Sequence, residues 1–155
     1  MIIFRGTLEK AIAVENLNAD PITGDARFCG TTASMCGIEK AGFEQNETAM
    51  NKAIQFDIML HAYMFMQSGI PVLYSGDEIG QVNDYTYKEN PNKAADSRYI
   101  HRGAMDWKLA QRKEDQKTVE GKLFFGLKQL EEIRKKEKVF VSYADTWTIE
   151  TWDTS

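Results

Sequence analysis

Apolar residues recur at every third or fourth position in two stretches of the chain, which predicts two amphipathic helices. The first begins near Asn46 or Thr48, both common helix caps, and ends before Gly69. Residues 59–66 within it are apolar on nearly every side, so we expect neighbouring elements to cover this half. Thr118 caps the second helix. Its apolar face consists of Val119, Leu123, Leu127, Leu130 and Ile133.

A short apolar run, IPVLYS at residues 70–75, lies between the helices and is bounded by Gly69 and Gly76. Its branched and aromatic residues predict a strand that is buried on both faces. Such a strand needs a hydrogen-bonded partner on each side, and the chain has no obvious second strand to offer. Either an assembly supplies the missing strands or the chain is a piece of a larger fold.

Turn-forming residues dominate most of the remaining sequence. Residues 1–47 predict a long loop with at most one short helix, Thr32–Lys40, and residues 76–117 predict a second polar loop. Alternation in Val139–Tyr143 and Thr146–Trp152 predicts a hairpin. The predicted order of elements, helix, buried strand and helix, is an α/β arrangement.

Charge and cysteine content exclude several kinds of site. The net charge of −4 and the pI near 5.3 argue against nucleic acid as a partner, because phosphate backbones require a clustered excess of Lys and Arg. Cys29 and Cys36 match no zinc or redox spacing, so we expect free thiols and no metal. No signal peptide and no run of about 20 apolar residues occurs. We therefore expect a cytoplasmic protein with no membrane partner.

Three side chains near the predicted strand have the chemistry of a site. Asp77 and Glu78 follow the strand directly, where α/β barrels place catalytic groups. Glycosidases, however, hold two facing carboxylates on separate elements, whereas neighbouring residues that leave a strand point in different directions. We expect this pair to build the turn and to accept hydrogen bonds from loop amides. His61 is expected to be a hydrogen-bonded core histidine.

The loop over residues 81–107 is rich in amides, carboxylates, arginines and aromatic rings. Sugars present hydroxyl groups that need polar partners and C–H faces that stack on aromatic rings, so this composition fits a carbohydrate site. A solvated surface loop has a similar composition, and that alternative stays open.

Two strings in this region resemble a known family. SGIPVLYSGDEIGQVNDY, followed by NKAADSRYIHRGAMDW, is similar to the eighth barrel strand and its loop in glycoside hydrolase family 13, the α-amylase family, and within it to the amylosucrase branch. PITGDARFCGTTASMCGIEKA resembles the segment of that branch that follows the seventh strand. GKLFFGLKQLEEIRKKEKVF resembles its eighth helix, so the resemblance covers nearly the whole chain.

The resemblance implies a fold and a parent activity. The fold class would be α/β, with a partial (β/α)8 TIM barrel over residues 1–137 and the start of a C-terminal β-domain over residues 138–155. The parent enzyme would cleave sucrose or a related α-glucoside with retention, using two carboxylates and no cofactor. In the family, the nucleophile, the acid and a His-Asp pair precede the matched region, and this sequence contains no His-Asp pair. We therefore expect no catalytic residue here and negligible turnover by the chain alone.

The resemblance also assigns substrate-binding residues, with sucrose or an α-glucan oligosaccharide as the ligand. Arg98, in DSRYIHR, matches an arginine that closes the glucose pocket by pairing with an acid beside the His-Asp motif, and we expect Arg98 to lack that acid here. Arg27, in TGDAR, matches an arginine on the acceptor side, and Asn18 lies near an acceptor-site amide. His101 and Arg102 belong to the same stretch as Arg98.

Two other functions stay open. The chain is alternatively a non-catalytic carbohydrate-binding or assembly module, which would need an aromatic platform that faces solvent. It is otherwise a fragment with no function of its own, whose exposed strand edge and apolar helix predict self-association. These residues do not distinguish hydrolysis from transglycosylation.

Overall fold

The structure, a computed structural model, describes residues 15–141, 143–144 and 147. It is mostly helical. The strands are β1 (Glu15–Leu17) and β2 (Arg27–Cys29), and the helices are α1 (Thr32–Cys36), α2 (Ile38–Phe43), α3 (Glu47–Phe65), α4 (Trp107–Ala110) and α5 (Val119–Lys136). Short 3-10 turns form at Asp77–Ile79, Tyr85–Glu89, Ser97–His101, Gln111–Glu114 and Lys138–Phe140.

The α/β fold class, with a partial TIM barrel running into a β-domain, is wrong for this chain. The only sheet among the described residues is the antiparallel pair of β1 and β2, in which Asn16 lies opposite Phe28. Residues 70–75 have no strand assignment. The physical reason is the missing partner, because a lone extended segment has no neighbour with which to form a ladder.

The structure confirms the two long helices that the periodicity of the sequence predicts. Asn46 caps α3, since its Oδ1 accepts a hydrogen bond from the Ala49 N–H at 3.0 Å. Thr118 caps α5 by accepting a hydrogen bond from the Gly121 N–H at 3.0 Å. Helix α3 packs against α1, α2 and α5. The main core consists of Ala33, Ile38, Ala53, Ile54 and Leu123.

The single short helix expected over Thr32–Lys40 is instead two helices. Gly37 separates α1 from α2 with a φ of 97°, in the left-handed region that favours glycine. The chain therefore turns between the two helices, and both of them reach α3.

Helix α5 approaches α3 closely because of Gly126. A Cβ at that position would lie 2.5 Å from Cδ1 of Ile58 on α3, so a larger residue would force the end of the Ile58 side chain to move. Leu123, which is fully buried, makes a second close contact, since a Cβ on Gly80 would overlap its Cδ1. The segment after residue 75 is thus held against α5.

A second, smaller core supports the polar loop. Cys29, Tyr87 and Ile100 are buried together, and Leu17, Tyr85 and Tyr99 pack against them. This cluster joins the β1–β2 hairpin to the loop that follows residue 80. The hairpin was not predicted, because strands of three residues are too short to show alternation.

Apolar residues 59–66 are not covered as predicted. Met59 and Tyr63 are 55% and 71% exposed, and the neighbouring Ile70 and Val72 are 84% and 74% exposed. Among the described residues, no element covers this surface. We use the name apolar face for Met59, Tyr63, Ile70 and Val72 together with Leu60, Met66, Leu73 and Tyr74.

The predicted C-terminal hairpin is only partly within the described residues. The prediction of a strand over its first arm, Val139–Tyr143, is wrong at the start, because Lys138–Phe140 forms a 3-10 turn. The second arm, apart from Trp147, lies outside the described residues, as do residues 1–14. Within the described part of the chain, no helix combines the length and apolar character needed to cross a membrane.

Arg134 ties the end of α3 to α5. Its Nη1 donates hydrogen bonds to the carbonyl oxygens of Phe65 and, at 2.9 Å, Gln67, and its Nη2 donates to that of Gly69. The last carbonyl groups of a helix have no partner within the helix, and a cation there also complements the helix dipole. One side chain on α5 therefore satisfies the turn that ends α3.

We expect Arg134→Met to lower the free energy of unfolding by about 1–3 kcal/mol, because hydrogen bonds to a charged donor are lost at a half-buried site. Urea denaturation followed by circular dichroism measures this loss. Lys128→Met, on the exposed face of the same helix, is the control and should change stability by less than about 0.5 kcal/mol. Equal effects of the two substitutions would contradict the role given to Arg134.

Candidate functional site

The five sequence-predicted binding residues lie on two elements that touch. Asn18 and Arg27 belong to the β1–β2 hairpin, and the 3-10 turn Ser97–His101 carries Arg98 and His101, with Arg102 following directly. Both strands of the hairpin contact this turn. The Ser97 hydroxyl donates a hydrogen bond to the carbonyl oxygen of Asn16 at 3.3 Å. We call this surface the polar face.

The connection between β1 and β2 is organised by one carboxylate. Asp20 Oδ1 accepts hydrogen bonds from the backbone N–H groups of Ile22 at 2.7 Å and Thr23 at 2.9 Å. These bonds lower the pKa of Asp20. Asn18, at the start of the connection, has a φ of 53°, which asparagine tolerates better than most residues. Asn18 and Arg27 are both exposed.

Arg98 pairs with an acid of its own turn, Asp96, which is not the family acid that the resemblance assigns to it. Its Nε and Nη2 donate to the two carboxylate oxygens of Asp96, each at 2.8 Å. Asp96 Oδ1 also accepts from the backbone N–H of Arg98 at 3.0 Å, which caps the 3-10 turn. The Arg98 side chain lowers the pKa of Asp96 to about 2. The guanidinium is thus held in a fixed direction on an exposed surface.

Tyr99 is bracketed by two cations. Lys93 Nζ lies 5.3 Å from the centre of its ring, and Arg102 Cζ lies 5.5 Å from it. Both distances are within the range of cation–π attraction. Tyr99 itself packs on the second core, so the ring is a fixed support for both side chains.

His101, on the polar face, contacts a residue of the apolar face. Its ring meets the ring of Tyr74 edge to face, with 5.8 Å between the centroids. Burial lowers the pKa of His101, and the positive charge of Arg102 lowers it further. Both effects favour the neutral form of His101, and its buried Nδ1 has no hydrogen-bond partner among the described residues.

Asn83 anchors the loop to α1, and sequence reasoning missed it. Its Oδ1 accepts from the Thr31 N–H at 2.8 Å, and its own N–H donates to the Ser34 hydroxyl at 3.0 Å. The Tyr85 hydroxyl donates to Glu39 Oε2 on α2 at 3.1 Å. No local spacing identifies such bonds, since the partners are separated by 46 or more positions.

His61 is a buried, bonded histidine, as the sequence predicts. Its Nδ1 lies 3.0 Å from the carbonyl oxygen of Asp57 and 2.9 Å from Asp57 Oδ1, and its Nε2 lies 3.6 Å from Asp77 Oδ2. Asp57 Oδ1 is in ionic contact but accepts no hydrogen bond among the described residues, because the histidine bonds the carbonyl. Burial opposes the charge of His61, but the two carboxylates outweigh it and raise its pKa to about 10.

Cys36 lies in the same negative environment. Burial raises the pKa of its thiol, and the charges of Asp57 and Asp77 raise it further. A thiol of this kind is a poor nucleophile, because the thiolate is the reactive form. Cys36 therefore belongs to the packing around His61 rather than to a reactive site.

Asp77 and Glu78 build the turn, as the sequence predicts. Asp77 Oδ2 accepts from the Tyr74 N–H at 3.3 Å, and Glu78 Oε2 accepts from the Gly76 N–H at 2.8 Å. With one carboxylate also facing His61, this pair is committed to structure. Among the described residues, no group of three or more His, Cys, Asp or Glu is arranged to hold a metal ion.

Two open clefts lie away from the polar face. One, of about 510 Å³, is lined by Phe65, Leu73, Arg134 and Phe140, among others, where α3 and α5 end. The other, of about 500 Å³, lies along α5 and includes Lys122, Phe125 and Gly126. Neither contains a sequence-predicted binding residue.

No protein-family model matches the chain. The geometry of the polar face is therefore the main guide to function beyond the sequence resemblance. That face combines a fixed guanidinium at Arg98, two cations on Tyr99 and a neutral histidine.

Stability should fall as the pH rises from 7 to 8.5. A group whose pKa is raised on folding stabilises the protein fully below its unfolded value of 6.5, and that contribution is lost as the pH rises toward the folded value, here about 10 for His61. The urea midpoint, measured at intervals of half a pH unit, tests this. His61→Gln should remove the fall.

His101→Gln is the matched control for that measurement. The pKa of His101 is lowered by folding, so its titration does not reduce stability as the pH rises, and the fall should persist in this variant. A pH-independent midpoint in the unsubstituted protein would show that His61 is not charged by its two carboxylates.

Proposed function

We propose that this chain is a non-catalytic, sugar-contacting part of an amylosucrase-like enzyme that acts with retention on sucrose or related α-glucosides. The resemblance of its sequence to the amylosucrase branch of glycoside hydrolase family 13 supports the proposal. The natural substrate would be sucrose or an α-glucan oligosaccharide, bound without a cofactor. A cytoplasmic location is part of the same proposal.

One observation carries most weight. The hairpin that holds Asn18 and Arg27 packs on the turn that holds Arg98 and His101, although these residues are about 70–80 positions apart. The two segments that the resemblance matches to sugar contacts thus lie next to each other in the fold. Guanidinium and amide groups are suitable hydrogen-bond partners for adjacent sugar hydroxyls.

Three carboxylates around the turn at residues 74–79, Asp57, Asp77 and Glu78, are engaged in ways that do not suit a retaining glycosidase. That mechanism needs two carboxyl groups about 5–5.5 Å apart across the scissile bond, one as nucleophile and one as acid. Asp57 and Asp77 instead share the imidazolium of His61, and Glu78 is hydrogen-bonded to the Gly76 amide. These three carboxylates are therefore not proposed as the nucleophile or the acid of the parent enzyme.

The alternative of a stand-alone carbohydrate-binding module is less well supported. Such a module needs aromatic rings that present their faces to sugar. Tyr87 is 4% exposed, and Tyr85 and Tyr99 pack on the second core, so the loop tyrosines are mainly internal supports. Trp107 is 73% exposed, but it belongs to α4 rather than to the loop around Arg98.

Isothermal titration with maltotriose and sucrose tests sugar contact by the polar face. We expect weak, saturable binding. Arg98→Ala should lower the affinity by about fivefold or more, because the variant lacks the guanidinium that would donate hydrogen bonds to the sugar. Lys117→Ala, an exposed cation away from this face, should bind as the unsubstituted chain does. Absence of binding, or an equal effect of both substitutions, would refute the proposed contact.

The same preparations should release no fructose from sucrose, since neither a nucleophile nor a proton donor is available. Release of fructose that persists through purification and disappears in Arg98→Ala would overturn the non-catalytic assignment.

We further propose that the apolar face causes the isolated chain to self-associate. Among the described residues, no backbone partner is present for Ile70, Val72 or Leu73, and these residues expose both apolar side chains and unpaired amide groups. Such a segment is a template for pairing with another chain.

Val72→Lys should shift the sedimentation profile of the isolated chain toward the monomer, because a charge on this face opposes its burial. Ile22→Lys is the matched control, since Ile22 is 92% exposed but lies on the hairpin connection. A monomeric profile of the unsubstituted chain at tens of micromolar, or equal shifts for both variants, would count against self-association through this face.

A further inference from the structure

The cleft where α3 and α5 end combines an apolar wall with charged residues. Its volume of about 510 Å³ is in the range of small-molecule sites. The apolar wall consists of Phe65, Pro71, Leu73, Phe140 and Val141. Phe65 is buried, whereas Leu73 is 38% exposed and Phe140 is half-buried. An apolar group of a ligand in this cleft would lose contact with water and would cover side chains that are now partly exposed.

Arg134 contributes a fixed guanidinium to the same cleft. It donates hydrogen bonds to the carbonyl oxygens of Phe65, Gln67 and Gly69, and its Cζ lies 5.9 Å from the centre of the Phe140 ring. A guanidinium has five N–H donors, so two remain after these three bonds. Arg134 makes no ion pair with a carboxylate in the described part of the chain. Within that part, carbonyl dipoles alone offset its charge.

The cations at this cleft outnumber the acids. The charged residues that line it are Arg134, Lys135, Lys136, Lys138, Glu131 and Glu137. None of the six forms an ion pair with another described residue. The two helices that end here each add a partial charge of about −0.5 at their last carbonyl groups, which leaves a net charge of about +1. The cleft therefore favours an anion.

We infer that this cleft binds a small organic acid with an apolar tail, such as a medium-chain alkanoate. Arg134 donates its two remaining hydrogen bonds to the carboxylate, and the tail packs on Phe65, Leu73 and Phe140. A hydrophilic anion would leave the apolar wall uncovered, and a neutral apolar molecule would leave the cations without a partner. The cleft contains none of the residues assigned to sugar contact, so the inference is independent of the proposed function.

Isothermal titration of the full chain with octanoate, 1-octanol and acetate separates the head group from the tail. We expect octanoate to bind saturably. 1-Octanol should bind about tenfold more weakly or worse, because it lacks the hydrogen bonds between two charged groups. Acetate should not bind measurably, since it buries no tail. Added salt should weaken the binding of octanoate.

Substitutions locate the site. Arg134→Met should abolish octanoate binding, but it also destabilises the fold. Phe140→Ala and Lys138→Met change side chains that are half-buried and exposed, and we expect both variants to fold, which circular dichroism checks. Each should weaken octanoate binding by about twofold to fivefold, through loss of tail contacts and of one exposed charge respectively. Lys128→Met, which lines the other cleft, is the control and should bind octanoate as the unsubstituted chain does.

The remaining outcomes overturn the inference. No binding of octanoate, or equal affinity for octanoate and 1-octanol, removes the anion site. Equal affinity for acetate removes the tail. Octanoate binding that Val72→Lys weakens but Phe140→Ala and Lys138→Met do not places the ligand on the apolar face instead. A hexapeptide of alternating glutamate and leucine that binds more tightly than octanoate and competes with it would replace the small acid by a protein partner.

Discussion

The close contact between α3 and α5 is the constraint on which the rest of the structure depends. Gly126 allows Ile58 to approach the α5 backbone, and Leu123 fills the space beside Gly80. Arg134 then satisfies the carbonyl groups at the end of α3. These contacts fix the chain at the end of α3 and again at Gly80. The loop after residue 80 therefore starts from a defined position on the core.

The polar face depends on that position through polar bonds rather than through apolar burial. Asn83 holds the loop to α1, and the second core holds the hairpin to the turn around Arg98. Buried amide and hydroxyl groups that are fully bonded rigidify a loop, since breaking one bond leaves a costly unpaired group. A surface built in this way can present arginines in fixed directions, which lowers the entropy lost on binding.

The sequence predicted the parts of the fold that depend on local order. Both long helices and their caps at Asn46 and Thr118 follow from periodicity and from side chains that bond within three residues. Prediction from the sequence failed for features that depend on partners far away along the chain. Residues 70–75 have the composition of a buried strand but no partner strand, and Asn83 bonds residues about 50 positions away. The Arg98–Asp96 pair was local, yet charged residues two positions apart are too common to mark it.

The two faces of the molecule make different demands on whatever surrounds it. The polar face holds the guanidinium of Arg98 with an acid of its own turn, Asp96, whereas the buried Nδ1 of His101 has no partner among the described residues. The apolar face exposes Tyr63, Ile70 and Val72, and a group of exposed apolar side chains is typical of an interaction surface. Among the described residues, the rings of Tyr74 and His101 connect the two surfaces through an edge contact. A substitution at Val72 should change association and leave the pairing of Arg98 with Asp96 intact, because that pair lies within its own turn.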